Sequence, residues 1–152
     1  MIALCYLPQG TEQDSRIQSL KVLMNRFAVE KGWEWVDWRE AACGRASGAA
    51  EARVALVAVA QHSDLELLGC RRRHAPAVRF IVVVLVPDPQ LLLRVQDLSP
   101  CFIALGAADD AAVPAVLERL SRRAAWDAGV SQGQDPMEEG FKASDEPHTM
   151  VF

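Results

Sequence analysis

The stretch "RVALVAVAQHSDLELLGCRRRHAPAVRFIVVVLVP", Arg53 to Pro87, holds two unbroken apolar runs on either side of a polar segment that carries three arginines. Neither run alternates apolar with polar residues. A strand with one solvated face would alternate; a strand covered on both faces, as in a parallel sheet between layers of helices, reads as continuous Val, Ile, Leu and Ala. "VALVAVA" and "RFIVVVLV" are therefore predicted as the central strands. A helix over Asp64 to His74 is predicted between them, capped by Ser63 or Asp64.

The same alternation extends outward. Ile2 to Leu7 reads as a short buried strand ended by Pro8-Gln9-Gly10. From Ser15 to Lys31, apolar Ile17, Leu20, Leu23, Met24, Phe27 and Ala28 recur at helical spacing, with Ser15 as N-cap and Gly32 closing the C-terminus. "WEWVDW" follows as a strand, and the Ala-rich stretch Arg39 to Ala52, interrupted by glycines, as a short or broken helix. "PDPQLLLRVQDL" is a fourth helix and "CFIAL" a fifth strand. A last helix is predicted from about Asp110 to Trp126, with Val113, Val116, Leu117, Leu120 and Ala124 as its apolar stripe and Pro114 in its first turn. The sum is a flavodoxin-like α/β fold: a doubly wound, five-stranded parallel sheet in the order 2-1-3-4-5, helices on both faces and right-handed crossovers. The domain is expected over residues 1–126. Residues 127–152, polar and rich in Gly and Pro, are expected to be a disordered or extended tail.

Composition bounds the function classes. With 152 residues, 51% of them apolar, the chain fits one domain. A net charge of −4 argues against a surface given over to nucleic acid. Cys5, Cys43, Cys70 and Cys101 are widely spaced and form no metal-ribbon or disulfide pattern, which fits a reducing, cytoplasmic setting. The first residues lack a basic leader, and no apolar run approaches the about 20 residues of a membrane span. His62, His74 and His148 are too scattered for a shared metal site, and neither a dinucleotide fingerprint nor a P-loop is present. No cofactor is expected.

"DLELLGCRRRHAPAVRFIVVVLVPDPQLLLRVQDLSPCFIALGAADDAAVPAVLERLSRR" resembles the second half of a response-regulator receiver (CheY-like) domain, in its leucine-rich third helix, the Pro before the fourth strand and the closing Leu-x-x-Leu-x-Arg-Arg helix. The likeness spans roughly Gly32 to Arg123. It implies a phosphoacceptor Asp at the end of the third strand, acidic Mg²⁺ ligands after the first, a switch Ser/Thr on the fourth and a Lys on the fifth. The matching positions are Leu56 for the acceptor, Tyr6 and Leu7 for the acids, Val84 or Leu85 for the switch and Leu105 for the lysine. None bears the expected group, and Mg²⁺ needs hard oxygen ligands. Glu12 and Asp14 in the first loop offer the only substitute carboxylates there, and such residues ahead of a helix ordinarily serve its cap and macrodipole.

"CYLPQGTEQD" with "GWEWVDW", "VALVAVAQHS" and "FIVVVLVPDP" is also similar in order to a Toll/interleukin-receptor-type domain. That resemblance implies NAD cleavage by a Glu on the helix after the third strand, where Glu66 is the candidate; an exposed helix carboxylate is the plainer reading. Arg71 to Arg73 likewise read either as a grip for phosphate or an acidic partner, or as cations complementing a helix C-terminus. The expected function is thus a non-catalytic, phosphorylation-independent pseudo-receiver that signals through protein–protein contact. Its partner is another protein or a second copy, with no direct nucleic-acid or membrane contact. The expected contact face joins the fourth helix, through Leu92 and Val95, to the last helix, through Glu118, Arg119 and Arg122.

Overall fold

The two apolar runs lie at the middle of the sheet. The computed structural model describes residues 1–41 and 51–131, which form β1 (Ile2–Tyr6), α1 (Ser15–Lys31), β2 (Glu34–Asp37), α2 (Trp38–Ala41), β3 (Val54–Val59), α3 (His62–His74), β4 (Arg79–Val84), α4 (Pro89–Gln96), β5 (Phe102–Ala104), α5 (Ala107–Asp110) and α6 (Val113–Ser131). The strands pair in the order β2-β1-β3-β4-β5, all parallel, as the sequence pattern predicts. Every residue of β3 is buried, and β3 pairs in register with β4 from Val54–Arg79 to Val59–Val84. Among the described residues no helix is long and apolar enough to cross a membrane.

Because strand side chains alternate in direction, the sheet sorts its own residues into two cores. Leu4, Tyr6, Val57, Val59, Phe80, Val82 and Val84 face α3 and α4, where Leu65, Leu68, Leu91, Val95 and Leu98 meet them. Ala3, Leu56, Ala58, Ile81 and Val83 face α1 and α6, against Ile17, Leu20, Phe27, Val113 and Leu117. Each large apolar side chain fully buried in these layers contributes about 1.5–3 kcal/mol.

The helix ends depart from expectation in instructive ways. Asp14, not Ser15, caps α1, its carboxylate accepting from the N–H groups of Arg16 at 2.8 Å and Ile17 at 3.4 Å. Gly32 closes that helix in the left-handed region at φ 65°, as predicted. α3 starts at His62 with Gln61 as N-cap, so Asp64 acts from the third helical position and accepts from the backbone N–H of Gln61 at 3.0 Å. The last helix is divided: Pro114 has no N–H to donate to Asp110, and the chain breaks at Ala111-Ala112 before α6 begins. α6 runs to Ser131, five residues past the expected domain boundary at Trp126. Of the helix expected over Arg39 to Ala52, α2 covers the first residues, and 42–50 lie outside the described residues, as does the expected tail from 132 onward.

Candidate functional site

In a doubly wound sheet, ligands gather at the carboxyl ends of the strands. Here that edge is formed by Tyr6 and Leu7 after β1, Asp37 after β2, Val59 and Ala60 after β3, Val84 and Leu85 after β4, and Ala104 and Leu105 after β5. Four of the five expected pocket positions, Tyr6, Leu7, Leu85 and Leu105, lie on it. Leu56 does not. It is the third residue of β3, fully buried, paired with Cys5 and Ile81, and on the opposite face of the sheet from Tyr6. β3 runs on for three residues past Leu56 to Val59, paired in register with β4 as far as Val84, so Val59 and Ala60 hold the edge position instead.

Two arginines fill the edge with hydrogen bonds. Arg16, from the first turn of α1, lies across the ends of β4 and β5. Its Nη1 donates to the carbonyl of Val84 at 2.6 Å and that of Leu105 at 3.5 Å, and its Nη2 to Ala104 at 3.4 Å. The same guanidinium holds Asp110 at two points, Nε to Oδ2 at 2.6 Å and Nη2 to Oδ1 at 2.8 Å. The hydrogen bond to Asp110 is the chief reason its pKa is raised, outweighing the opposing effect of burial. Asp109 completes the corner by accepting from the Leu105 N–H at 2.9 Å.

Arg39 occupies the other half of the edge. Its guanidinium lies 4.9 Å from the centre of the Tyr6 ring, donates to the Leu7 carbonyl, and pairs with Asp37 at 3.5 Å. Below it, the Tyr6 hydroxyl donates to Asp64 Oδ1 at 2.7 Å, while Asp64 Oδ2 accepts from the N–H groups of Ala60 at 2.9 Å and Gln61 at 3.0 Å. Asp64 is 4% exposed and is the one buried charged side chain among the described residues. Its donors and the α3 N-terminus offset the cost of desolvating it. Burial, and then the bond to Asp64, push the Tyr6 phenol up to about 12.

The remaining candidates are dispersed. Glu12 accepts from Gly10 N–H at 3.3 Å and Asp14 caps α1, so neither faces the edge as a carboxylate pair. Glu66 is exposed on α3. Arg72 covers the Phe80 ring at 4.8 Å and donates to the Val78 carbonyl, while Arg73 is exposed. Among the described residues no three His, Cys, Asp or Glu side chains gather as a metal-holding group. On the expected contact face, Val95 is fully buried in the core and cannot meet a partner, and Leu92 is half-buried against that core. The leucine that α4 turns outward is Leu93, 68% exposed; Glu118, Arg119 and Arg122 are exposed on α6 as expected.

Sequence reasoning missed Arg16 and Arg39 altogether. One signal was available for Arg16: a cation in the first turn of a helix opposes the macrodipole, and its presence there calls for a partner elsewhere.

No family model matches the chain, and no curated protein matches its sequence. Solved structures do. A pilus assembly-related protein from Burkholderia pseudomallei is 16% identical, with 80% of this chain and 88% of that one covered at a TM-score of 0.53. The RcsB response regulator of Salmonella typhimurium, described for its conformational dynamism in DNA interaction, is 18% identical, with 80% of this chain and 59% of that one covered at 0.52. RcsB from Salmonella enterica serovar Typhimurium, bound to a promoter in the presence of phosphomimetic BeF3-, is 18% identical, with 79% and 67% covered at 0.53. Together with the strand order and the two helical layers, these likenesses establish that the chain has the response-regulator receiver (CheY-like) fold.

Proposed function

We propose that the chain is a receiver-fold signalling domain that acts by protein–protein contact without phosphorylation and without catalysis. The arrangement of Arg16 carries this reading. Where the receiver resemblance implies a lysine free to meet a phosphoryl group, a guanidinium from α1 is already committed to Asp110 and to strand-end carbonyls. Tyr6 stands at an expected acid position with its hydroxyl donated to Asp64, and the end of β3 offers Val59 and Ala60, neither of them able to accept a phosphoryl group. An edge filled in this way supports a fixed scaffold.

The contact face is proposed at β5, an edge strand flanked by α4 on one side of the sheet and α6 on the other. Leu93, exposed on α4, is proposed as its apolar anchor, and Arg119 and Arg122, exposed on α6, as its charged surroundings. A second copy is the partner this face is proposed to take.

The test is exposure of the protein to acetyl phosphate, and separately to beryllofluoride with Mg²⁺. The intact mass and the amide NMR spectrum should stay unchanged in both. An added phosphoryl mass, or amide shifts clustered at Tyr6, Val59 and Leu105, would overturn the reading.

A further inference from the structure

The opposite pole of the molecule is open. At the amino edge of the sheet a groove of about 810 Å³ lies between the starts of β1, β3 and β4 and the last turns of α6. Trp33 and Leu120, both nearly buried, give it an apolar floor, and exposed Arg53 and Arg79 stand at its side. A second depression of about 540 Å³ continues toward the end of α3, where Arg71 lines it; Arg53 and Ala77 line both, so the two form one surface. Glu51 and Asp127 also border the larger groove. Arg53 and Arg79 make no ion pair with any described residue. The surface therefore suits an occupant with apolar side chains set among carboxylates.

The chain carries such a segment beside it. α6 forms one wall of the groove from Leu120 to Asp127 and ends at Ser131. Beyond it, Asp135, Glu138, Glu139, Asp145 and Glu146 stand against the single cation Lys142, so this segment accounts for the whole net charge of −4. Met137 and Phe141 lie among the acids. Glu138 is seven residues past Ser131. An extended chain of that length spans about 25 Å, enough to turn back over the groove. Attachment also holds the segment at an effective concentration of the order of millimolar, so weak contacts suffice.

We propose that the amino-edge groove is the docking site of the chain's own acidic segment 135–141, held by Arg53 and Arg79 through its carboxylates and by the apolar floor through Phe141. The proposal is independent of the reading given to the carboxyl edge.

Trypsin cleavage after Lys142 tests it in the intact chain, because Lys142 is the only lysine or arginine beyond Ser131. Rates are taken relative to a free 132–152 peptide carrying the same substitutions, at low salt. The wild type should be protected at least tenfold, and Arg53→Glu with Arg79→Glu should abolish that protection. Asp135→Asn with Glu138→Gln and Glu139→Gln, which leaves every described residue intact, should abolish it equally, and the two sets combined should do no more. Cleavage of the wild type as fast as the free peptide overturns the proposal, as does protection that survives both sets. Protection lost on dilution overturns it too, since the segment then docks on a second copy.

Discussion

The Arg16 guanidinium and the Asp110 carboxylate join in a two-point fork, with contacts of 2.6 and 2.8 Å between residues 94 apart in the chain. The pair ties the start of α1 to α5 and, through the strand-end carbonyls, to β4 and β5. Both side chains are less than one-fifth exposed. Arg16→Met should therefore cost about 2–3 kcal/mol, the range of a hydrogen-bonded charge rather than a surface pair. Arg16→Lys should recover only part of this, since an ammonium cannot reproduce the fork. Urea titration measures both; a loss below about 1 kcal/mol for Arg16→Met would place the pair among ordinary surface bridges.

The chain has one tyrosine, so phenolate absorbance reports Tyr6 alone. Its titration should centre near 12, raised from 10.0 chiefly by burial and then by the bond to Asp64. A raised folded-state pKa means that the stabilisation is complete below the unfolded value and is lost as pH climbs toward the folded one. Cys5, raised by burial from 9.0 to about 12, acts in the same direction. Stability should thus fall between about pH 9 and 12, and Tyr6→Phe should flatten the upper part of that fall. A phenolate midpoint near 10 would show that the hydroxyl faces solvent.

Leu56 is fully buried between β1 and β4 and faces α1 and α6. Leu56→Ala should cost about 2–5 kcal/mol through the cavity it leaves. Leu56→Asp adds the cost of an unpaired carboxylate in an apolar interior, several kcal/mol more, against a typical total of about 5–15 kcal/mol. The Asp variant should be unfolded or insoluble by circular dichroism and yield. A folded Leu56→Asp protein would contradict the packing described for this layer.

Association through the β5 face should appear in sedimentation at about 100 µM, where an interface worth about 5.5 kcal/mol is half-formed. Leu93→Glu with Arg119→Glu should reduce the wild-type protein to a monomer without loss of helical signal, because both side chains point outward. Wild-type protein that is already monomeric at that concentration would remove the second copy as the partner of this face.

Local pattern determined most of the architecture. The unbroken runs of β3 and β4 required cover on both faces, and the spacing from Ile17 to Phe27 required one buried helical stripe; both follow from residues close together in the chain. The capping residues were legible to within one or two positions, since several polar side chains compete at each helix start. Other features waited on the tertiary structure. Consecutive Leu91, Leu92 and Leu93 cover most of a helical turn, and only docking of Leu91, Val95 and Leu98 into the core turned Leu93 outward. The residues at the carboxyl edge of β3 depended on pairing register with β4, which no single strand contains. The edge arginines depended on contacts between distant segments: Arg16 with Asp110, and Arg39 with the ring of Tyr6. A sequence records a cation's charge and its place on a helix, but the carbonyls and carboxylates that hold it are brought within hydrogen-bond distance only when the strands align.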